Sequence, residues 1–275
     1  MQDSSAQLFS KMSPTSTRMP VLFVGHGSPM NAIEHNAFTS ALKQVAEGLP
    51  KPKAVCSISA HWITRGARVV DLPKPRTIHD FYGFPRPLYE VQYPAPGSPE
   101  EAKRVAREAH LHTDEQWGLD HGTWAVLRHM YPDADIPVFQ VSLDAGRDLE
   151  GHLALGAELE SLRDRGVLIL GSGNLVHNLM VMRGERDAAP FPWATEFDAR
   201  VKQAIANRDS AALANPGAWG ERLFEEAHPS LDHYLPILYT IGATNKKDEV
   251  SFPYEGLEYG SVSMRMALFQ PPVAA

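Results

Sequence analysis

One cysteine in 275 residues, Cys56, leaves no partner for an internal disulfide and no sulfur set for a zinc knuckle. It lies in the apolar run Ala54-Val55-Cys56-Ser57-Ile58, the setting of a buried core thiol rather than a nucleophile. No apolar stretch approaches the ~20 residues that span a bilayer, so no membrane partner is expected. Runs of Lys or Arg are also missing, and a formal net charge of −7 argues against a nucleic-acid surface. The first 17 residues are rich in Ser and Gln and lack the apolar centre of a secretory signal. Residues 1–18 are therefore expected to form a disordered arm, with the cytoplasm as the default location. No internal repeat is visible. The apolar and charged contents, 43% and 21%, are those of a soluble globular chain, long enough for one well-buried domain expected over residues 19–270.

Short β-branched runs alternate with helical patterns. Residues 20–24 read as a first strand ending at Gly25-His26-Gly27. Residues 34–47 carry Phe38, Leu42 and Val45 at helical spacing and stop at Gly48-Leu49-Pro50. Residues 54–59 read as a second buried strand with His61 just past its end, and 67–72 as a third. The stretch 73–98, rich in Pro, Gly and aromatics, is too long for a plain connection and predicts an ordered lid or cleft wall. Ser98-Pro99 opens a helix. Residues 136–143 and 167–171 read as strands around a helix over 147–163. That is a parallel crossover, and it places Gly171 on the carboxyl edge of a sheet, where α/β ligand sites gather. Residues 215–218 read as a turn, 234–242 as a helix and 260–269 as a closing strand. The fold class expected is α/β, a single domain with a central mixed, mostly parallel sheet flanked by helices.

Histidine is what the chain has in distinctive places. His26 sits in Gly25-His26-Gly27-Ser28-Pro29 and His61 in Ser59-Ala60-His61-Trp62. His177 follows Gly171-Ser172-Gly173-Asn174, and His233 closes His228-Pro229-Ser230-Leu231-Asp232-His233. Imidazole is the commonest protein ligand for divalent transition metals, so four such rings at element edges point to a histidine-rich metal centre. The flanking glycines of His26 suggest close backbone approach to a ligand. A lone His at a strand end is more often a surface or satisfied-core residue, so the argument rests on their co-occurrence. Asp120-His121 reads either as a helix cap beside an exposed ring, or as an orienting carboxylate beside an acid/base. The turn at Gly171 could instead cradle a phosphate, but it lacks the P-loop lysine. His79, beside Asp80 in the aromatic loop, is a candidate substrate contact. His35, His110, His112, His129 and His152 lie in polar helical stretches and are expected to be exposed.

Seven phrases occur in one order: His-Gly-Ser-Pro, Ser-Ala-His-Trp, His-Asp-Phe-x-Gly-Phe-Pro, Tyr-Pro-Ala-Pro-Gly, Asp-His-Gly-x-Trp, Gly-Asn-x-Val-His-Asn and His-Tyr-Leu-Pro. Over residues 19–268 the chain thus resembles the 4,5-DOPA extradiol dioxygenase family, class III extradiol ring-cleaving enzymes of the LigB-like superfamily. The resemblance implies a metal at His26, His61 and His233. It implies that His177 is a fourth ligand or an acid/base and His121 a second acid/base. Better-known class III enzymes use a glutamate in third position, so Asp232 or Glu258 stands as an alternative to His233. The implied metal is Fe(II) for activity, with Zn(II) able to take the same site. The implied partners are a catechol, most simply L-DOPA, and O2, in a monomer or small homo-oligomer. Trp62, Phe81, Tyr82 and Trp124 are candidates to stack on the substrate ring. Rival readings are a zinc-dependent hydrolase on the same histidines, a tetrapyrrole metal chelatase, and a non-enzymatic protein of this fold.

Overall fold

The computed structural model describes residues 18–272. The arm expected over 1–18 lies outside the described residues except for Arg18, whose guanidinium pairs with Glu160 and Asp164. The strands are β1 (Val21–Gly25), β2 (Ala54–Thr64), β3 (Arg68–Val70), β4 (His112–Asp114), β5 (Val138–Asp144), β6 (Val167–Gly173), β7 (Glu249–Ser251), β8 (Leu257–Glu258), β9 (Val262–Ser263) and β10 (Met266–Gln270). Among the described residues, eight of them form one sheet in the order β4-β3-β5-β2-β6-β1-β10-β7, while β8 pairs with β9. The contacts of β2 with β5 and β6, and of β1 with β6, are parallel, whereas β10 runs antiparallel to β1 and β7.

The helices are α1 (Ala37–Gly48), α2 (Arg86–Tyr89), α3 (Pro99–Glu108), α4 (His121–Met130), α5 (Leu149–Glu158), α6 (Pro192–Asn207), α7 (Ser210–Leu213), α8 (Glu221–Ala227) and α9 (Leu235–Gly242). They cover both faces of the sheet, which is why its four central strands are buried along nearly their whole length. Strand alternation divides the core in two. Val21 and Phe23 of β1 pack with Leu155, Phe197, Val201 and Ile237, while Leu22 and Val24 face Phe38, Leu42, Val45, Trp124 and Leu127. Cys56 is fully buried on the first of these faces, and burial pushes its thiol pKa up, as expected of a core thiol. No helix among the described residues is long and apolar enough to cross a membrane.

The parallel crossover through α5 is present, but β2 lies between β5 and β6. Three features differ from the sequence reading. β2 runs on to Thr64, and its register against β5 slips, because Ile58 pairs with Val141 and Ile63 with Leu143. The intervening residues bow out of the ladder, so His61 sits in an irregular stretch inside the strand and not beyond it. Such irregularities re-aim side chains beside functional sites. The helix expected over 147–163 ends at Glu158 and tightens into a 3-10 turn over Glu160–Arg165, closed by Gly166 at φ 85°. The expected closing strand is broken into β9 and β10.

Parallel strands put their carboxyl ends on one edge. There the backbone stitches the separate segments together: His26 N–H donates to Gly173 O at 3.0 Å, and Asn174 N–H to His233 O at 2.9 Å.

Candidate metal centre

Each histidine reaches the sheet edge by a different local device. His26 directly follows β1. Its neighbouring glycines serve packing rather than ligand approach: a Cβ on Gly25 would lie 2.4 Å from Ser263 O, and Gly27 adopts φ 61° against Met264. His61 is presented by the bow in β2. Room for its ring comes from Gly122, where a Cβ would sit 3.1 Å from His61 Cδ2 and 2.5 Å from Ser59 Oγ. His121 is the first residue of α4, behind the N-cap Asp120. His177 lies in the loop after β6, held by its N–H to Ala227 O at 2.9 Å. His233 precedes α9, whose Leu235-Pro236 start suits a helix first turn.

Three of these rings converge. One ring nitrogen each from His26, His61 and His233 lies within 4.8 Å of the others, and the Nε2 atoms of His26 and His61 are 3.1 Å apart. The bonds behind the rings assign the tautomers. The Ser172 hydroxyl has one proton, which goes to Gly122 O at 2.6 Å, so it accepts at 3.0 Å from His26 Nδ1–H. His233 Nδ1–H donates to the Asp232 carboxylate. Asp80 Oδ2 lies 3.3 Å from His61 Nδ1 and 2.9 Å from His121 Nδ1, and as a carboxylate it can only accept. His26, His233 and His121 therefore carry their proton on Nδ1 and a bare lone pair on Nε2. The lone pair of His26 Nε2 faces His61 Nε2 at 3.1 Å, a gap that a proton on His61 or, in its place, a cation bridges. A divalent metal fits this donor set.

Electrostatics agree with that assignment. Burial, followed by the neighbouring histidines, holds His26 and His233 well below the usual imidazole pKa. Burial and then His121 lower His61 to about 3, against an opposing pull from Asp80. His177 is lowered to about 4, chiefly by burial. These rings are neutral at pH 7, as metal ligands must be. Burial opposes the charge on Asp80, but its hydrogen bond with His121 and the nearness of both rings outweigh that and hold the carboxyl at about 2.

His177 stacks flat on His233, with centroids 3.5 Å apart and planes 7° apart, and does not belong to the converging donor triplet. Its ring nitrogens make no hydrogen bond among the described residues. Phe81 meets His121 edge to face at 5.5 Å. The other aromatic candidates stand apart. Trp62 follows His61 on the opposite face of the strand and stacks on Trp117 at 5.6 Å. Trp124 is fully buried and donates its Nε1–H to Ile78 O at 2.7 Å. Tyr82 is 92% exposed. His79 donates Nε2–H to Val91 O at 2.9 Å, pinning the loop.

Asp120 caps α4 by accepting Thr123 N–H, and it also accepts from Ser59 Oγ and Gln140 Nε2. The carboxylate that orients His121 is Asp80, 41 positions away. Sequence reasoning passed over Asp80 in favour of its neighbour His79; the signal available was an acid set between two aromatic-loop residues. Ser172 was hidden inside a glycine turn read as backbone. Of the carboxylates considered for third position, Asp232 is bonded to His233, and Glu258 lies 3.7 Å from Arg186. His35, His110 and His112 are exposed as expected, but His129 is half-buried and His152 is buried, sharing a 3.0 Å bond with Tyr239 Oη.

Residues 19–263 match the family described as the catalytic LigB subunit of aromatic ring-opening dioxygenase. The chain belongs to the LigB family. It is 44% identical over 258 residues to the 4,5-DOPA dioxygenase extradiol of Escherichia coli K12, covering 91% of this chain and 94% of that protein. The protein of the same name from Beta vulgaris is 37% identical over 252 residues, with 88% and 92% covered. A crystal structure of an uncharacterized Escherichia coli K12 protein superposes with a TM-score of 0.78 at 38% identity, over 91% of this chain and 99% of that one. LigB membership makes the protein an extradiol ring-opening dioxygenase, an oxidoreductase that works with a metal, a small-molecule substrate and O2. It sets aside the chelatase and non-enzymatic readings. The expected α/β architecture, a mixed sheet flanked by helices, is that of the LigB fold.

Proposed function

We propose that the protein cleaves L-DOPA between carbons 4 and 5 to 4,5-seco-DOPA, the precursor of betalamic acid, using Fe(II) held by His26, His61 and His233. The observation that carries this reading is the convergence of ring nitrogens from three neutral histidines beside two further histidines. Its setting is a chain similar to proteins named for 4,5-DOPA cleavage. Bound Fe(II) would supply two-point anchoring of the diol and a path for electrons from the ring to O2.

The remaining chemistry belongs to the protein. His121 presents a bare Nε2 and takes the second phenolic proton as general base; the Asp80 carboxylate behind its Nδ1–H stabilises the imidazolium so formed. His177, half-buried and neutral, is the second acid/base, set face to face with His233 to return a proton when the O–O bond breaks. Phe81 offers an edge against the substrate ring and excludes water from His121. Three neutral ligands leave a divalent ion's charge uncancelled, and Asp232, bonded to His233, and Asp80, 3.3 Å from His61 Nδ1, supply two negative charges behind the ligand rings.

The test is anaerobic loading with Fe(II), addition of L-DOPA, then oxygen, with the visible spectrum and oxygen uptake recorded together. A yellow product matched to oxygen consumption, lost in His26→Ala and His61→Ala, is the expected result. Oxygen uptake with other catechols but not L-DOPA overturns the substrate. Hydrolytic turnover with Zn(II) and none with Fe(II) overturns the reaction.

A further inference from the structure

We propose that Asp80 is a positioning residue that couples the ligand ring of His61 to the proton-handling ring of His121, holding both in the tautomer with Nδ1 protonated and Nε2 bare. The role given to His121 rests on the function proposed above.

Three nitrogens converge on this one side chain. The His121 backbone N–H donates to Oδ1 and its ring Nδ1–H to Oδ2, both at 2.9 Å, while His61 Nδ1 approaches the same Oδ2 to 3.3 Å, close enough to feel its charge. Only a group with acceptors on both arms serves all three, and among side chains that is a carboxylate. The two rings so joined are neighbours, with centroids 4.0 Å apart and planes tilted by 47°. Asp80 is itself rigidly delivered. Ile78 N–H donates to Leu119 O at 2.8 Å, Trp124 Nε1–H to Ile78 O at 2.7 Å, and His79 Nε2–H to Val91 O at 2.9 Å. The aromatic loop, then, acts as a bracket for one carboxylate.

Sharing Oδ2 has a chemical consequence. The carboxylate oxygen that fixes the His121 tautomer is also the one facing His61 Nδ1, so the tautomers of the two rings respond to each other. His26 and His233 stand outside this coupling, because their Nδ1–H groups are held by Ser172 and Asp232.

Asparagine at position 80 keeps the shape and loses one acceptor. Placed with its oxygen toward the rings, it sets an N–H against the His121 backbone N–H; flipped, it offers N–H to both rings and drives their protons to Nε2. The direct measurement is a two-bond 15N–1H correlation spectrum of the histidine rings in Zn(II)-loaded protein, wild type and Asp80→Asn, with Zn(II) affinity by chelator competition. In the wild type, His61 and His121 should show the proton on Nδ1. In Asp80→Asn, His121 should shift to the Nε2–H form and Zn(II) affinity should fall about 10–100-fold, the usual loss when the partner behind a ligand is removed. The His26 and His233 signals should stay unchanged and report that the fold is intact.

An Nε2 proton on His121 in the wild-type protein overturns the proposal whether or not the variant folds. So does a folded Asp80→Asn protein with unchanged tautomers and Zn(II) affinity within twofold of wild type. Neither readout involves turnover. Wild-type protein with the expected tautomers but no Fe(II)-dependent oxygen uptake on any catechol would defeat the ring-opening role of His121 and leave the coupling standing.

Discussion

Replacing Ser172 with alanine probes the tautomer assignment from the side of a neutral partner. The hydroxyl is fully buried, accepts the His26 Nδ1–H at 3.0 Å and donates to Gly122 O at 2.6 Å. Alanine removes both bonds, but their losses are unequal. Gly122 lies in the first turn of α4, so its carbonyl keeps a helical N–H. The His26 Nδ1–H, on a ring only 4% exposed, keeps nothing. One buried donor left unpaired costs about 1–3 kcal/mol. For a chain of this size that corresponds to a fall of about 2–5 °C in the melting temperature of metal-free protein. Freed from Ser172, the ring can rotate or move its proton to Nε2, and Zn(II) affinity should drop about 10–100-fold. Chelator competition and thermal melts of apo-protein measure the two effects separately. Unchanged Zn(II) affinity in Ser172→Ala would refute the assignment of Nε2 as the metal-facing atom of His26, whatever the melting temperature does.

Acid should destabilise the metal-free protein well before its carboxylates titrate. His61 and His228 are held at about 3 and His177 at about 4, each first of all by burial, against 6.5 for an ordinary imidazole. The unfolded chain takes up these protons first, so stability is full above about pH 6.5. It then falls as pH drops toward those folded values, with a slope approaching 1.4 kcal/mol per pH unit for each ring. Urea midpoints of apo-protein at pH 7, 6 and 5 check this, and a flat profile would contradict it. Asp248→Ala leaves the buried Arg163 guanidinium without the carboxylate it grips at 2.7 Å on both arms, and should cost about 3–5 kcal/mol in urea melts with Zn(II) affinity unaltered. Tyr82→Ala, at a 92% exposed position, should leave stability within about 0.5 kcal/mol and the KM for catechol unchanged. A raised KM there would mean that the aromatic loop closes over the substrate.

The sheet was legible because its central strands are buried on both faces and so read as short, mostly apolar runs; the three-residue edge strands β4 and β7 carry no such signal. The histidines were legible because each stands in an unusual local phrase. Their partners were not, because a hydrogen bond across the fold leaves no mark at the spacing of local motifs. His26 and Ser172 are 146 positions apart, and His121 and Asp80 are 41 apart. The same gap explains why Asp120, adjacent to His121 in sequence, attracted the orienting role that Asp80 fills in space. Trp124 and Trp62 illustrate the converse error. Large rings beside candidate ligands suggest a pocket wall, but Trp124 is packed into the core and Trp62 stacks on Trp117.

The three candidate ligands occupy positions 26, 61 and 233, and the segments bearing them meet only where β1, β2 and β6 lie side by side. No partly formed sheet can gather all three donors, so an ion there binds the folded domain and not the unfolded chain. By mass action, free metal at a thousandfold above its dissociation constant would add about 4.1 kcal/mol to the folded state. Scarcity of the ion would then reach beyond lost turnover: it would lower the reserve that keeps the chain folded and out of reach of proteases.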